Sequence, residues 1–144
     1  MNARHFALVL GIIYTLVGIA GFLPPLLQAP ATSAPAVHVH SLYGDLLGLF
    51  PVNILHTVVH LGTGLWGLYA AKSLTSAVTY AKALTVIYIV LTVMGLIPVL
   101  NTVFGLIPIY GHDVWLHAGT AIIAAYFGFS RAATTERVAA RRTE

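Results

Sequence analysis

The stretch of sequence that decides the fold is residues 83–112, ALTVIYIVLTVMGLIPVLNTVFGLIPIYGH, which contains no Asp, Glu, Lys or Arg. Three other stretches, 6–27, 46–71 and 114–130, also lack these charged residues. A helix that crosses the hydrocarbon core of a bilayer needs about 20 apolar residues. We therefore predict an all-α protein with four transmembrane helices, at about 6–27, 51–71, 81–100 and 111–130.

The composition of the whole chain agrees with a membrane protein. Of the 144 residues, 58% are hydrophobic and only 8% are charged, whereas a soluble domain has about 25% charged residues. The chain has no cysteine, which excludes disulfides, thiol catalysis and thiolate metal sites. It also has no phosphate-binding loop, nucleophile elbow or pair of neighbouring carboxylates, so the sequence favours a protein that is not an enzyme.

The basic residues predict the orientation in the membrane. The predicted outer loops, 28–50 and 101–110, contain no Lys or Arg. Because cytoplasmic loops are enriched in Lys and Arg, we place all of these residues, and both termini, in the cytoplasm. We expect one membrane domain over residues 1–130, followed by a basic cytoplasmic tail over 131–144. The seven basic residues are Arg4, Lys72, Lys82, Arg131, Arg137, Arg141 and Arg142.

The two halves of the chain resemble each other. Residues 9–26 match 83–100 at six of 18 positions with an offset of 74, and 48–71 match 105–128 at seven of 24 with an offset of 57. Each half is a helical hairpin that starts on the cytoplasmic side, so we predict two tandem parallel repeats with a pseudo-twofold axis along the membrane normal. The predicted repeats cover residues 6–71 and 81–130, with approximate ends.

Polar side chains recur at matching positions of the second and fourth predicted helices. His56 and His60 lie four residues apart and therefore share one helix face. The offset of 57 aligns them with Asp113 and His117. Ionisable groups inside a membrane usually face the bundle interior and often mark function. We therefore expect these four side chains to meet in the outer half of the bundle.

Besides a proton or substrate path, which is disfavoured because the inner halves of the helices carry no carboxylate, histidine or basic side chain, this polar layer has three alternative interpretations. The four side chains could bind one Zn or Cu ion, because imidazole suits both metals, with Asn53, Tyr14 and Tyr88 around them. His60 and His117 could instead be the axial ligands of a haem or similar pigment beside the two tyrosines. In the third interpretation the histidines only join helices by hydrogen bonds, and Asp113 caps the fourth helix.

Two short runs resemble a known family. Residues 49–60, LFPVNILHTVVH, and residues 113–117, DVWLH, are similar to an uncharacterised bacterial membrane family, domain of unknown function 4383. The resemblance covers about residues 5–130. It implies a four-helix protein of the bacterial cytoplasmic membrane, and it implies no particular activity.

From the sequence we predict a small non-enzymatic integral membrane protein. Its expected role is that of an accessory or structural subunit of a larger membrane complex, and the alternative is a metal-binding or haem-binding membrane protein that uses the polar layer. The expected partners are the lipid bilayer and either another membrane protein or a second copy of the chain. No nucleic acid is expected, because the basic residues form no patch with aromatic neighbours.

Overall fold

The protein is mostly helical over residues 2–130, the part of the chain that this computed structural model describes. Two helices, α1 and α3, are long and apolar enough to cross a membrane. The predicted basic tail, 131–144, lies outside the described residues. The four α-helices of this part are α1 (Ala3–Ala20), α2 (Ile54–Ala70), α3 (Leu74–Leu96) and α4 (His112–Phe129).

The helix ends differ from the sequence prediction in α1 and α3. Helix α3 begins at Leu74 instead of 81, because the Ser73 side chain accepts a hydrogen bond from the Ser76 backbone N–H (3.1 Å) and so caps an earlier turn; it also ends at Leu96 instead of 100. Helix α1 ends at Ala20 instead of 27. Two consecutive prolines follow it, and they form a separate 3-10 turn over Pro24–Leu26 because proline lacks the N–H that would continue an α-helix.

A small antiparallel sheet lies between α1 and α2, in the first of the two predicted outer loops, and the all-α prediction did not include it. Its strands are β1 (Leu27–Gln28), β2 (Gly44–Leu46) and β3 (Phe50–Val52), in the order β1-β2-β3. Pro51 is tolerated because β3 is an edge strand, where a missing N–H breaks no ladder. Strand β3 contacts both α2 and α4, so the sheet lies against the outer ends of these helices.

The helices pack mainly in two pairs, α1 with α2 and α3 with α4, and α1 also contacts α3. Glycines allow the backbones of the first pair to approach closely. A Cβ added to Gly11 would lie 2.6 Å from the backbone nitrogen of Leu68, which is closer than atoms can pack. Small residues serve the same purpose where helices associate inside membranes.

The surface of the helices is apolar, whereas the interior contains polar side chains. Leu16 on α1 is 60% exposed and Ile122 on α4 is 72% exposed, and all four helices expose other large apolar side chains. A water-soluble monomer rarely exposes so many large apolar side chains in contiguous patches. The buried polar residues are Asn53, His56, Thr57, His60, Thr85, Thr102, Asp113 and His117.

The outer turns that precede α2 and α4 have the same backbone conformation. Leu47 and Gly48 have φ angles of 55° and 72°, and Phe104 and Gly105, at the offset of 57, have φ angles of 57° and 84°. Non-glycine residues rarely adopt positive φ. A shared rare conformation at matched positions therefore indicates that the two turns are built alike.

Candidate functional site

Six of the residues predicted for the site, the four ionisable side chains of the polar layer and the two tyrosines, lie together in the interior between the two helix pairs. The ring centroids of Tyr14 and His60 are 5.4 Å apart, and those of Tyr88 and His117, the matching pair in the second half, are 5.0 Å apart. The rings of Tyr14 and Tyr88 stack on each other at 6.0 Å. We call this set the polar cluster; its members are Tyr14, His56, His60, Tyr88, Asp113 and His117.

Three members of the polar cluster form a group with the composition of a metal site. One possible ligand atom from each of His56, Asp113 and His117 lies within 4.8 Å of the other two, and all three residues are buried. Within this group, His56 Nε2 lies 3.8 Å from an Asp113 carboxylate oxygen. His60 lies outside this group, although its ring is only 4.3 Å from that of His56.

The backbone before α2 fixes the orientation of the His56 ring. His56 Nδ1 lies 3.1 Å from the carbonyl oxygen of Pro51. A carbonyl can only accept, so Nδ1 carries the hydrogen and donates it. In a neutral imidazole the other nitrogen, Nε2, then keeps its lone pair. That lone pair is on the atom nearest to Asp113, which is the arrangement that a metal ligand needs.

Three polar atoms of the cluster have no hydrogen-bond partner within residues 2–130. They are Asp113 Oδ2, His60 Nδ1 and His117 Nδ1, and all three are buried. The interpretation of Asp113 as a helix cap finds no support, because the cap residue of α4 is Gly111 and no side chain makes the capping hydrogen bond. Buried polar groups are nearly always hydrogen-bonded, so unpaired atoms at one place require an explanation.

Asn53 has a structural role that differs from the one expected around a metal. Its Oδ1 accepts a hydrogen bond from the His56 backbone N–H (3.0 Å) and so caps α2. Its Nδ2 donates to the carbonyl oxygens of Val39 (3.1 Å) and Leu106 (2.7 Å), which belong to the two outer loops. An Asn directly before an apolar helical run is a known start signal for a helix, so the cap could have been predicted. The two loop contacts could not.

A second contact between the outer loops also escaped sequence reasoning. The hydroxyl groups of Tyr43 and Tyr110 lie 2.8 Å apart. Burial, together with this hydrogen bond, raises the pKa of Tyr110 above its usual value. No pattern pairs these tyrosines, since they are 67 residues apart and not at equivalent positions of the two halves.

The family model described as "Domain of unknown function (DUF4383)" matches residues 4–130. The chain belongs to this family. The match confirms the resemblance noted for residues 49–60 and 113–117, and it includes the whole polar cluster. The DUF4383 description names no activity, so any function has to be argued from the residues. No curated protein and no solved structure matches the chain.

Proposed function

We propose that the protein is a four-span membrane protein that binds a transition-metal ion at His56, Asp113 and His117. One observation carries the proposal: these buried side chains bring ligand atoms within 4.8 Å of one another, and Asp113 Oδ2 has no hydrogen-bond partner in the described part of the chain. An unpaired carboxylate in a dry interior is costly. A bound cation would remove that cost.

The donor set and its spacing favour zinc. Two imidazoles and one carboxylate are a known ligand set for Zn²⁺, which binds them at about 2.0–2.2 Å and leaves a fourth position open. Tetrahedral geometry with such bonds separates the ligand atoms by about 3.4 Å. The 3.8 Å between His56 and Asp113 needs only a small rotation of the side chains. Because His56 is on α2 and the other two ligands are on α4, the ion would join the two helix pairs.

Four spans are supported by the apolar surface of all four helices, although α2 and α4 are shorter than α3. Helix α2 has 17 residues, which at 1.5 Å per residue gives about 26 Å, close to the thickness of a bilayer core. The ammonium groups of Lys72 and Lys82 lie 5.1 Å from the ring centroids of Tyr69 and Phe129. These contacts at the ends of α2 and α4 agree with a shared cytoplasmic side in a bacterial inner membrane, with both termini inside.

The arrangement of two tandem parallel repeats is supported by contacts that occur twice. The Tyr14–His60 contact corresponds to the Tyr88–His117 contact under the two sequence offsets. Gly21 faces Thr57 in the first half, and Gly95 faces Val114, the residue equivalent to Thr57, in the second. With the matching outer turns, these contacts support a pseudo-twofold axis that passes between Tyr14 and Tyr88.

The metal proposal is tested on the full chain, purified without chelators. We expect elemental analysis to find about one Zn per chain, and Co²⁺ to give the visible absorption of a tetrahedral complex. Asp113→Asn and His117→Leu should each weaken Zn²⁺ binding at least 100-fold. His60→Leu is the matched control and should retain binding. Failure of the parent protein to bind Zn²⁺ or Co²⁺, or an equal loss in the control, would overturn the proposal.

The orientation is tested with single cysteines, because the natural chain contains none. Leu49→Cys lies in the first outer loop and Lys72→Cys between α2 and α3, and both positions are exposed. In intact bacterial cells a membrane-impermeant maleimide should label only the first variant. Labelling of only the second would reverse the orientation, and equal labelling would contradict a spanning protein.

The other functions predicted from the sequence stay predictions. Exposed apolar side chains occur on every helix, which is what contact with lipid requires, so no face within residues 2–130 is distinguished as the docking surface of an accessory subunit. Ligation of a haem or pigment by His60 and His117 likewise has no observation of its own in its favour.

A further inference from the structure

A cavity of about 310 Å³ lies between α1 and α4, beneath the outer sheet. We call it the lateral cavity. Its walls are mainly apolar and include Leu10 and Val17 from α1 and Leu116 from α4, and strand β3 contributes Phe50 and Val52. Small-molecule sites in proteins have volumes of about 300–1,000 Å³ and are mostly apolar with a few polar groups. The lateral cavity meets both conditions.

Polar residues also line the lateral cavity. His60 and Asp113 line it, are 6% and 1% exposed, and each has one side-chain atom without a hydrogen-bond partner among the described residues. The side chains of Tyr14 and Thr120 line it as well. Buried atoms of this kind are costly unless something binds them. A ligand that fills the cavity could supply the partner that His60 lacks.

Two residues that line the lateral cavity also belong to the apolar surface of the helices. Ile13 and Leu116 line the cavity and are also 48% and 43% exposed. They lie in the middle part of α1 and near the start of α4, where a spanning helix contacts lipid. A ligand therefore enters from the membrane, which selects a lipid-soluble molecule.

We propose that the lateral cavity binds a lipid-soluble quinone-type ring, with one ring oxygen hydrogen-bonded to His60. Neutral imidazole has one donor and one acceptor nitrogen, so it can pair with a carbonyl or with a hydroxyl oxygen. The rings of Tyr14 and His60, 5.4 Å apart, favour a flat aromatic partner over an alkyl chain. The volume of about 310 Å³ lies at the small end of the range for small-molecule sites, which suits a compact ring system.

This site and the metal site use different residues, apart from Asp113. His56 and His117 do not line the lateral cavity, and His60 and Val17 do not belong to the metal group. His56→Leu should therefore abolish Zn²⁺ binding and leave ring binding within twofold. The two proposals can fail separately.

The test measures binding of 2-methyl-1,4-naphthoquinone to the full chain in lipid nanodiscs, with empty nanodiscs as the blank. We expect one bound quinone per chain. Binding of 2-methylnaphthalene, which has the same shape but no oxygen, should be at least tenfold weaker, because one hydrogen bond to a buried group is worth about a factor of ten. Equal binding of the two compounds would overturn the proposal.

Two variants on α1 locate the ligand. Val17→Trp fills the lateral cavity and should abolish quinone binding. Leu16→Trp places the same side chain one residue away, at a position that is 60% exposed and does not line the cavity, and it should bind normally. His60→Phe should weaken binding at least tenfold with unchanged helix content. Normal quinone binding by Val17→Trp would refute the location, and normal binding by His60→Phe would refute the hydrogen bond.

Discussion

Replacing Gly95 by Ala tests whether the close packing of α3 against α4 positions the metal group. A Cβ on Gly95 would lie 2.5 Å from the Ile109 carbonyl oxygen and 2.8 Å from Val114 Cγ2. The carbonyl has to retreat by about 0.9 Å to reach the 3.4 Å at which ordinary contact begins. Because a backbone atom cannot rotate away, the first turn of α4 moves with it. Asp113 lies in that turn, directly before Val114.

The magnitude follows from two opposing effects. Overpacking of this kind costs about 1–3 kcal/mol, and the better helix propensity of alanine returns at most about 1 kcal/mol. We expect Gly95→Ala to lower the free energy of unfolding by a net of about 1 kcal/mol and to weaken Zn²⁺ binding. The control is Gly119→Ala on α4, where no described atom lies within 4 Å of the new Cβ.

The assay is unfolding by sodium dodecyl sulfate in mixed micelles, followed by far-UV circular dichroism, with Zn²⁺ titration of the same samples. Gly119→Ala should leave stability unchanged or raise it by up to about 1 kcal/mol, and it should bind Zn²⁺ normally. The reasoning is refuted if the two variants have the same stability, or if Gly95→Ala is destabilised but binds Zn²⁺ as tightly as the parent protein.

Two further substitutions test the outer region. Asn53→Ala removes a helix cap and leaves two loop carbonyl groups without their donor, so it should lower the free energy of unfolding by about 3 kcal/mol. Asn2→Ala removes the corresponding cap of α1 and should lower it by about 1 kcal/mol. Equal losses in the same unfolding assay would contradict a role of Asn53 in joining the loops. Burial raises the pKa of Asp45, which means that its ionised form opposes folding above that pKa. Asp45→Asn should therefore raise the unfolding midpoint at pH 7. The gain should shrink towards pH 4 as the carboxyl group becomes protonated in the folded and unfolded states. A gain that is independent of pH would show that burial of the ionised carboxylate is not its cause.

Four members of the polar cluster could be predicted because two simple periodicities specify them. Four-residue spacing puts His56 and His60 on one face of α2, and the offset of 57 transfers the same spacing to Asp113 and His117 on α4. These inferences need no knowledge of the loops, since a helix fixes the relative positions of its own side chains. The structure accordingly brings together every residue that this reasoning selected.

The helix ends and the outer region could not be predicted by the same means. The sequence predicts the start of α3 at about residue 81, because the charge-free stretch begins at 83, directly after Lys82. Ser73 caps the helix earlier, and the Lys82 side chain extends over the Phe129 ring instead of ending the helix. The strands have two or three residues each, which is too short for an alternating pattern. Their pairing depends on contacts between distant parts of the chain.

Under the proposed repeat, the two halves do not give two equal sites, because one pair of aligned residues differs. His60 and His117 are equivalent, but His56 in the first half aligns with Asp113 in the second. The carboxylate therefore occurs on α4 alone, and the metal group takes two members from α4 and one from α2. His60 is not a member of the metal group, and it lines the lateral cavity.

This division of roles distinguishes function from symmetric packing. If the histidines only joined helices, His60→Leu and His117→Leu would have similar effects, because both side chains are buried and each contacts one tyrosine at about the same distance. The two proposals instead require different losses. His117→Leu should lose Zn²⁺ binding, whereas His60→Leu should lose quinone binding and keep Zn²⁺ binding. The packing of the two residues is nearly the same. Packing alone therefore cannot explain why one variant would lose only Zn²⁺ binding and the other only quinone binding.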